Sequence, residues 1–164
     1  STFITVAPKS ARFLAASGPA QPIPRSIIVK PLSGNSDGFI EVNNQTGKFS
    51  LKGLNSKLIN ESIIIEARSI DGVFSDTGEK KDITLLNVFD EKISYIKNDD
   101  TDMYAKTINY NSENSIIELI DNVTIIRNEE KITGDYGTLD TTNNSYKIKS
   151  NNKSKVKVII QNNE

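Results

Sequence analysis

The chain has 164 residues, with 20 Lys+Arg against 21 Asp+Glu, so it has the size of one domain and lacks the basic excess that nucleic-acid phosphates demand. It contains no Cys and no His, which excludes disulfides, a thiol nucleophile, a Ser-His-Asp triad and a zinc site of the usual type. No apolar run approaches the roughly 20 residues that a membrane-spanning helix requires.

In chain order, the first feature is a compositional boundary. All five prolines, Pro8, Pro19, Pro22, Pro24 and Pro31, lie at the start of the chain, with most of its alanines. Proline fixes φ and pushes its predecessor out of the helical region, so residues 1–26 read as an extended or poorly ordered lead-in. Phe13-Leu14-Ala15-Ala16 follows Lys9 and Arg12 and has the character of a secretory-leader fragment; Ser1 in place of Met suggests a processed product. Residues 27–164 read as one all-β domain.

Past about residue 35 the chain is rich in Ile, Val, Thr, Phe and Tyr, and it alternates. In Lys48-Phe49-Ser50-Leu51-Lys52, Phe49 and Leu51 share a face. In residues 62–68, Ile63, Ile65 and Ala67 oppose Ile64, Glu66 and Arg68, and in residues 155–159 valine alternates with lysine. This period of two marks strands with one wet face. Turn signals recur at Asn43-Asn44, Asp71-Gly72, Thr77-Gly78, Asn98-Asp99-Asp100, Asn111-Ser112, Asp121-Asn122, Asn128-Glu129 and Asn143-Asn144. One unit recurs at residues 42–51, 110–119 and 139–148: an apolar residue, Asn or Asp, a few small polar residues, then an alternating strand. Physically it is a hairpin with an Asx-rich turn, of the kind that stacks into an elongated array.

The stretch 103–148 carries a more particular pattern: Ala105, Tyr110-Asn111, Ile117 and Leu119, Asn122-Val123, Ile125, Gly134-Asp135 and Leu139-Asp140. It resembles the OstA-like domain of the lipopolysaccharide-transport proteins. A weaker cycle runs through residues 49–53 and 64–67, and residues 155–160 resemble the terminal strand of the bridge branch, LptA. Asp121 stands where the family often has Gly, and Asp82-Ile83-Thr84-Leu85-Leu86-Asn87-Val88 also suits the membrane-anchored branch, LptC. The absence of an anchor helix favours the first branch, although a trimmed member of the second would read alike.

The resemblance implies a β-jellyroll, two antiparallel sheets of meandering strands in an open V with an apolar interior. It implies a periplasmic protein that carries lipopolysaccharide non-covalently, makes or breaks no bond, needs no cofactor or metal, and forms part of a bridge between the inner and outer membranes. Partners would be lipopolysaccharide and other transport proteins, or further copies head to tail, joined by edge-strand pairing. Val156 to Ile160 and Ile27-Ile28-Val29-Lys30 are the candidate edges, the second partly blocked by Pro31. Basic residues at the trough mouth would meet head-group phosphate. Candidate lipid-facing residues are Phe49, Leu51, Ile63, Ile65, Leu85, Ile117, Leu119, Val123, Ile125 and Ile148, which an ordinary sandwich core would use equally well.

Other chemistry has weaker support. Asn98-Asp99-Asp100-Thr101-Asp102 has clustered oxygen ligands for calcium but reads as a solvated loop. Glu129-Glu130 could supply a glycosidase acid pair, although acids are plentiful here. Tyr95, Tyr104, Tyr110, Tyr136 and Tyr146 leave open a carbohydrate-binding or adhesin-type β-sandwich with no lipid trough. Lys147, Lys149, Lys153, Lys155 and Lys157 read as a guarded strand face, with no nucleic-acid partner.

Overall fold

Alternating apolar residues separated by Asx turns give a meander. The computed structural model describes residues 2–6, 32–78, 81–151 and 155–160. Its strands are β1 (Thr2–Val6), β2 (Leu32–Ser36), β3 (Phe39–Val42), β4 (Lys48–Asn60), β5 (Ile63–Asp76), β6 (Lys81–Asn98), β7 (Thr101–Asn111), β8 (Ile116–Arg127), β9 (Glu130–Asp140), β10 (Ser145–Lys149) and β11 (Lys157–Ile160). They pair antiparallel in the order β1-β2-β4-β5-β6-β7-β8-β9-β10, with β3 added to β4 and β11 to β9. The lead-in expected for residues 1–26 lies outside the described residues apart from Thr2–Val6, which pair with β2 as an edge strand. The early edge expected at Ile27 to Lys30 also lies outside them.

Every strand from β4 to β9 is long enough to serve twice. Register breaks fall between Lys52 and Ser56, Glu66 and Ser69, Phe89 and Ser94, Tyr104 and Thr107, and Ile120 and Val123. Bulges bend and over-twist a strand. Placed in line across neighbouring strands, they fold one sheet into two leaves. The first leaf runs β1-β2, the 56–66 hairpin of β4 and β5, the corresponding halves of β6 to β9, and β11. The second runs from β3 through the other halves to β10. The fold is therefore a jellyroll-like V whose two layers are one continuous sheet.

Small side chains line the inner side of the corner: Ser36, Ser56, Ala67, Ser94 and Ala105 are all buried there. They let the leaves approach, and their hydroxyls accept or donate where the ladder is broken. Ser36 Oγ donates to the Lys52 carbonyl at 2.8 Å, and Ser94 Oγ to the Lys106 carbonyl at 3.1 Å. The Asp90 carboxylate accepts the amides of Arg68 (3.1 Å) and Lys92 (2.8 Å). Asp121 and Asn122 sit at this corner with φ of 64° and 57°. The turn expected there is thus a bend within β8, since left-handed Asx residues serve bulges as well as hairpins. Asp71-Gly72 is likewise inside β5 and not a turn. A Cβ on Gly72 would lie 2.5 Å from Phe49 Cζ, so the glycine makes room for that ring.

The three repeated units are three hairpins at the same end of the second leaf, β3-β4, β7-β8 and β9-β10. Each turns on one device. Asn43 Oδ1 accepts the amide of Gln45, Asn111 Oδ1 that of Glu113, and Asp140 Oδ1 that of Thr142, at 3.0, 2.9 and 2.9 Å. The Thr142 contacts hold the Asp140 carboxyl below its ordinary range.

Candidate functional site

Every long strand helps to build the interior between the leaves, and the register shows how. In the second leaf Ile40, Leu51, Ile70, Val88, Ile108, Leu119, Gly137 and Ile148 stand side by side across β3 to β10. In the first leaf Leu58, Ile65, Ile96, Met103, Ile125 and Ile132 form the facing row. Leu51, Ile65, Ile70, Val88, Met103, Ile108 and Leu119 are wholly buried. Apart from Gly137 and Ile132, the two rows belong to one cluster, with Ile40 and Ile148 packed against it, so the interior is an apolar seam running across the strands.

Of the ten residues expected on this face, Phe49, Leu51, Ile65, Ile117, Leu119, Val123 and Ile125 are buried in it, and Ile63 and Ile148 are partly buried against it. Leu85 is a correction: it is 43% exposed, on the outer face. Its neighbour Leu86 takes the inward place opposite Gly72, because the register break between Val73 and Phe74 shifts the alternation of β6. Sequence reasoning missed Leu58, Ile70, Val88, Ile96, Met103, Ile108 and Leu139, all fully or almost fully buried. Extending the period of two along β6 and β7 would have found most of them.

Polar contacts close the mouth of the V. Asn60 Nδ2 on the first leaf donates to the Lys81 carbonyl on the second at 3.4 Å. Arg127 donates to the Asn144 carbonyl at 3.0 Å, and the Tyr146 hydroxyl donates to Glu130 at 2.5 Å. Beside Asn60, the end of β5 and the start of β6 turn buried side chains inward. Phe74 stacks on Phe49 with ring centres 6.3 Å apart, and the Lys81 ammonium lies 2.9 Å from Asp76 and 4.4 Å from the Phe74 centroid. Gly47, at φ 74°, passes so close that a Cβ would sit 2.1 Å from the Phe74 carbonyl oxygen. Between the lips lies a cavity of about 90 Å³, walled by Ile63 and Ile96 from the first leaf and Ile83, Leu86 and Ile117 from the second. Arg127 is the basic residue these contacts bring to the mouth, with its Nε 3.8 Å from Asp100.

Burial, and then the bond to Glu130, push the Tyr146 hydroxyl up to about 12. Its folded pKa exceeds its unfolded one, so this latch contributes fully below about pH 10 and is lost as pH rises through about 12. Tyr146→Phe is expected to cost about 1 kcal/mol at neutral pH and to remove that alkaline component of the urea midpoint. An unchanged alkaline profile would show that the latch carries no stability.

Other expected chemistry is dispersed. Among the described residues no group of acids could hold a metal ion. Asp102 instead accepts the Tyr95 hydroxyl at 2.5 Å, and Glu130 is engaged by Tyr146. The tyrosines do not form a row: Tyr95 and Tyr104 pack in a tilted pair on the outer face with ring centres 5.0 Å apart, Tyr136 donates to Glu118 at 2.7 Å, and Tyr110 and Tyr146 lean on the core.

Comparison with known proteins agrees with this architecture. The structure of LptH, described as the LptA homologous periplasmic component of the conserved lipopolysaccharide transport device from Pseudomonas aeruginosa, is similar with a TM-score of 0.65 and 16% identity. The match covers 85% of this chain and 100% of LptH. A search of curated proteins by sequence finds no match. The family described as LptA/(LptD N-terminal domain) LPS transport protein matches residues 35–145, which reach from β2 to the start of β10 and take in both leaves. The chain therefore belongs to the LptA/LptD N-terminal-domain family of lipopolysaccharide-transport proteins.

Proposed function

We propose that the chain carries lipopolysaccharide in the periplasm, with the acyl chains between the two leaves and no covalent step. The observation that carries this reading is the unbroken apolar inner face shared by β4 to β9. Acyl chains need such a surface, since each buried CH₂ is worth about 0.8 kcal/mol. Among the described residues the leaves also end in strands with one edge unpaired, β1 and β3 on one side and β10 and β11 on the other. In this reading those edges pair with neighbouring transport proteins, or with copies of the chain, to form part of a bridge between the membranes. In β11, Val158, Ile159 and Ile160 are each more than half exposed, which suits an edge that is covered on assembly.

A second reading rests on the wholly buried rows of the interior: a closed β-sandwich in which the same residues are ordinary core. A photo-crosslinking residue placed at Ile117 or Ile125, with lipopolysaccharide titrated in, separates the two. Carriage predicts a saturable adduct from these positions and none from Glu118, which points outward beside Asn109. Variants with native circular dichroism and no adduct from any inward position would leave only the sandwich.

A further inference from the structure

The outer face of the first leaf carries a groove that carriage leaves unused. About 600 Å³ in volume, it follows one row of the register across five strands: Asn35 on β2, Lys57 on β4, Glu66 on β5, Tyr95 on β6 and Tyr104 on β7. Neighbouring strands lie about 4.8 Å apart, so the row is about 19 Å long. Two bulges wall it on the side of the corner. Leu54 falls in the register break of β4 and Ile93 in that of β6, and they border the groove at 67% and 40% exposure. Bulges re-aim side chains, and these two turn apolar ones toward water.

A cross-strand pair of rings is by itself ordinary sheet packing. The surroundings of this pair set it apart. Tyr95 is fixed from outside the groove, where its hydroxyl donates to Asp102 at 2.5 Å. The Tyr104 hydroxyl and the Asn35 side-chain amide have no hydrogen-bond partner among the described residues. The charges that border the groove are compensated: the Lys57 ammonium lies 2.9 Å from Glu66, and Asp90 accepts the amides of Arg68 and Lys92. The groove thus combines a two-ring platform, an apolar wall and a line of donors and acceptors, with no bare charge offered to an ion.

We propose that this groove binds a short oligosaccharide, its sugar rings resting on Tyr95 and Tyr104 and its hydroxyls bonded to Asn35, Lys57 and Glu66. A pyranose presents an apolar C–H face to an aromatic ring and a rim of hydroxyls that both donate and accept. A fatty chain laid along the same row would bury Lys57 and Glu66 without returning a hydrogen bond. The length of the row asks for more than one sugar ring. The inference does not rest on carriage, because the groove lies on the opposite side of the sheet from the apolar interior. Two sources present this chemistry, the sugar portion of lipopolysaccharide and a lipid-free glycan, and the test separates them.

The full chain is titrated at neutral pH with triacetylchitotriose, with maltotriose and with the lipid-free core oligosaccharide of lipopolysaccharide. NMR follows the Tyr95 and Tyr104 ring signals, the Ile93 methyls and, for the interior, the Ile125 methyls. At least one sugar is expected to shift the rings and Ile93 saturably and to leave Ile125 still. Binding of the core oligosaccharide alone assigns the groove to the sugars of lipopolysaccharide, and binding of either other trisaccharide assigns it to glycans more widely. Tyr104→Ala is expected to weaken binding at least about tenfold, and Tyr104→Phe, which keeps the ring, by no more than about threefold. Asn35→Ala, which leaves the ring pair intact, should weaken it by about threefold and serves if Tyr104→Ala fails to fold. Neither variant should change the lipopolysaccharide adduct at Ile117, so failure here and failure of carriage are read separately. Rings that stay still with all three sugars overturn the proposal, as does binding that survives both Tyr104→Ala and Asn35→Ala. Shifts confined to Ile125 overturn it too, since they place the sugar in the interior.

Discussion

Lys81→Met is expected to destabilise the fold by about 3–5 kcal/mol, the range found when one partner of a buried ion pair is removed. The Lys81 and Asp76 side chains are 2% and 7% exposed, and their charged atoms are 2.9 Å apart. Methionine keeps the aliphatic stem against Phe74 but removes the Lys81 ammonium from the buried Asp76 carboxylate. The Gly78 amide, 3.0 Å from Asp76 Oδ1, offsets only part of that loss. Set against a total stability of about 5–15 kcal/mol, the loss is large enough to read directly in the urea midpoint. The double variant Asp76→Leu with Lys81→Met should regain most of the stability, since apolar replacements of a buried pair are often neutral. A loss below about 1 kcal/mol in the single variant would mean that water reaches the pair and that the hairpin tip is not held by it.

That pair also marks where sequence reasoning stops. Phe49, Leu51, Ile63 and Ile65 were legible because a wet-faced strand alternates, and the structure keeps that alternation within each half-strand. The hairpins at Asn43, Asn111 and Asp140 were legible because an Asx side chain closes each turn locally. Leu85 was misassigned because two adjacent leucines satisfy either phase, and only the bulge partner across the sheet decides between them. Asp121-Asn122 was read as a chain reversal because the same left-handed backbone serves a turn and a corner. Nothing in the local pattern of Asp121 says that four other breaks line up with it. Asn60 and Lys81 meet only because the leaves fold over, 21 residues apart in the chain. The one available signal was Lys81 itself, a charge two residues before Ile83 on what becomes the inward phase of β6.

The corner and the latched mouth together set a physical condition on carriage. Inner residues such as Leu51, Ile70, Ile108 and Leu119 are wholly buried, and the gap between the lips is about 90 Å³. Close-packed interiors do not yield to an acyl chain without moving. Loading therefore requires the leaves to part, with the line of bulges as the flexing corner and the polar contacts of the mouth as what must break. Tethering the lips should consequently abolish loading while preserving the fold. Asn98 on the first leaf and Thr141 on the second both border the gap, and the chain has no native cysteine to interfere. In an Asn98→Cys, Thr141→Cys variant joined by a short reducible linker, the lipopolysaccharide adduct at Ile117 is expected to fall at least about tenfold, the change given by about 1.4 kcal/mol against the open state. Reduction should restore it. The single-cysteine variants, capped with the same reagent at one end, occupy the gap without joining the leaves and should retain the adduct. Loss in the capped single variants would identify steric blockage of the throat as the cause. An undiminished adduct in the tethered protein would mean that lipid reaches the interior through the open ends of the sheet, beside β1 and β3 or β10 and β11, without the leaves parting at their mouth.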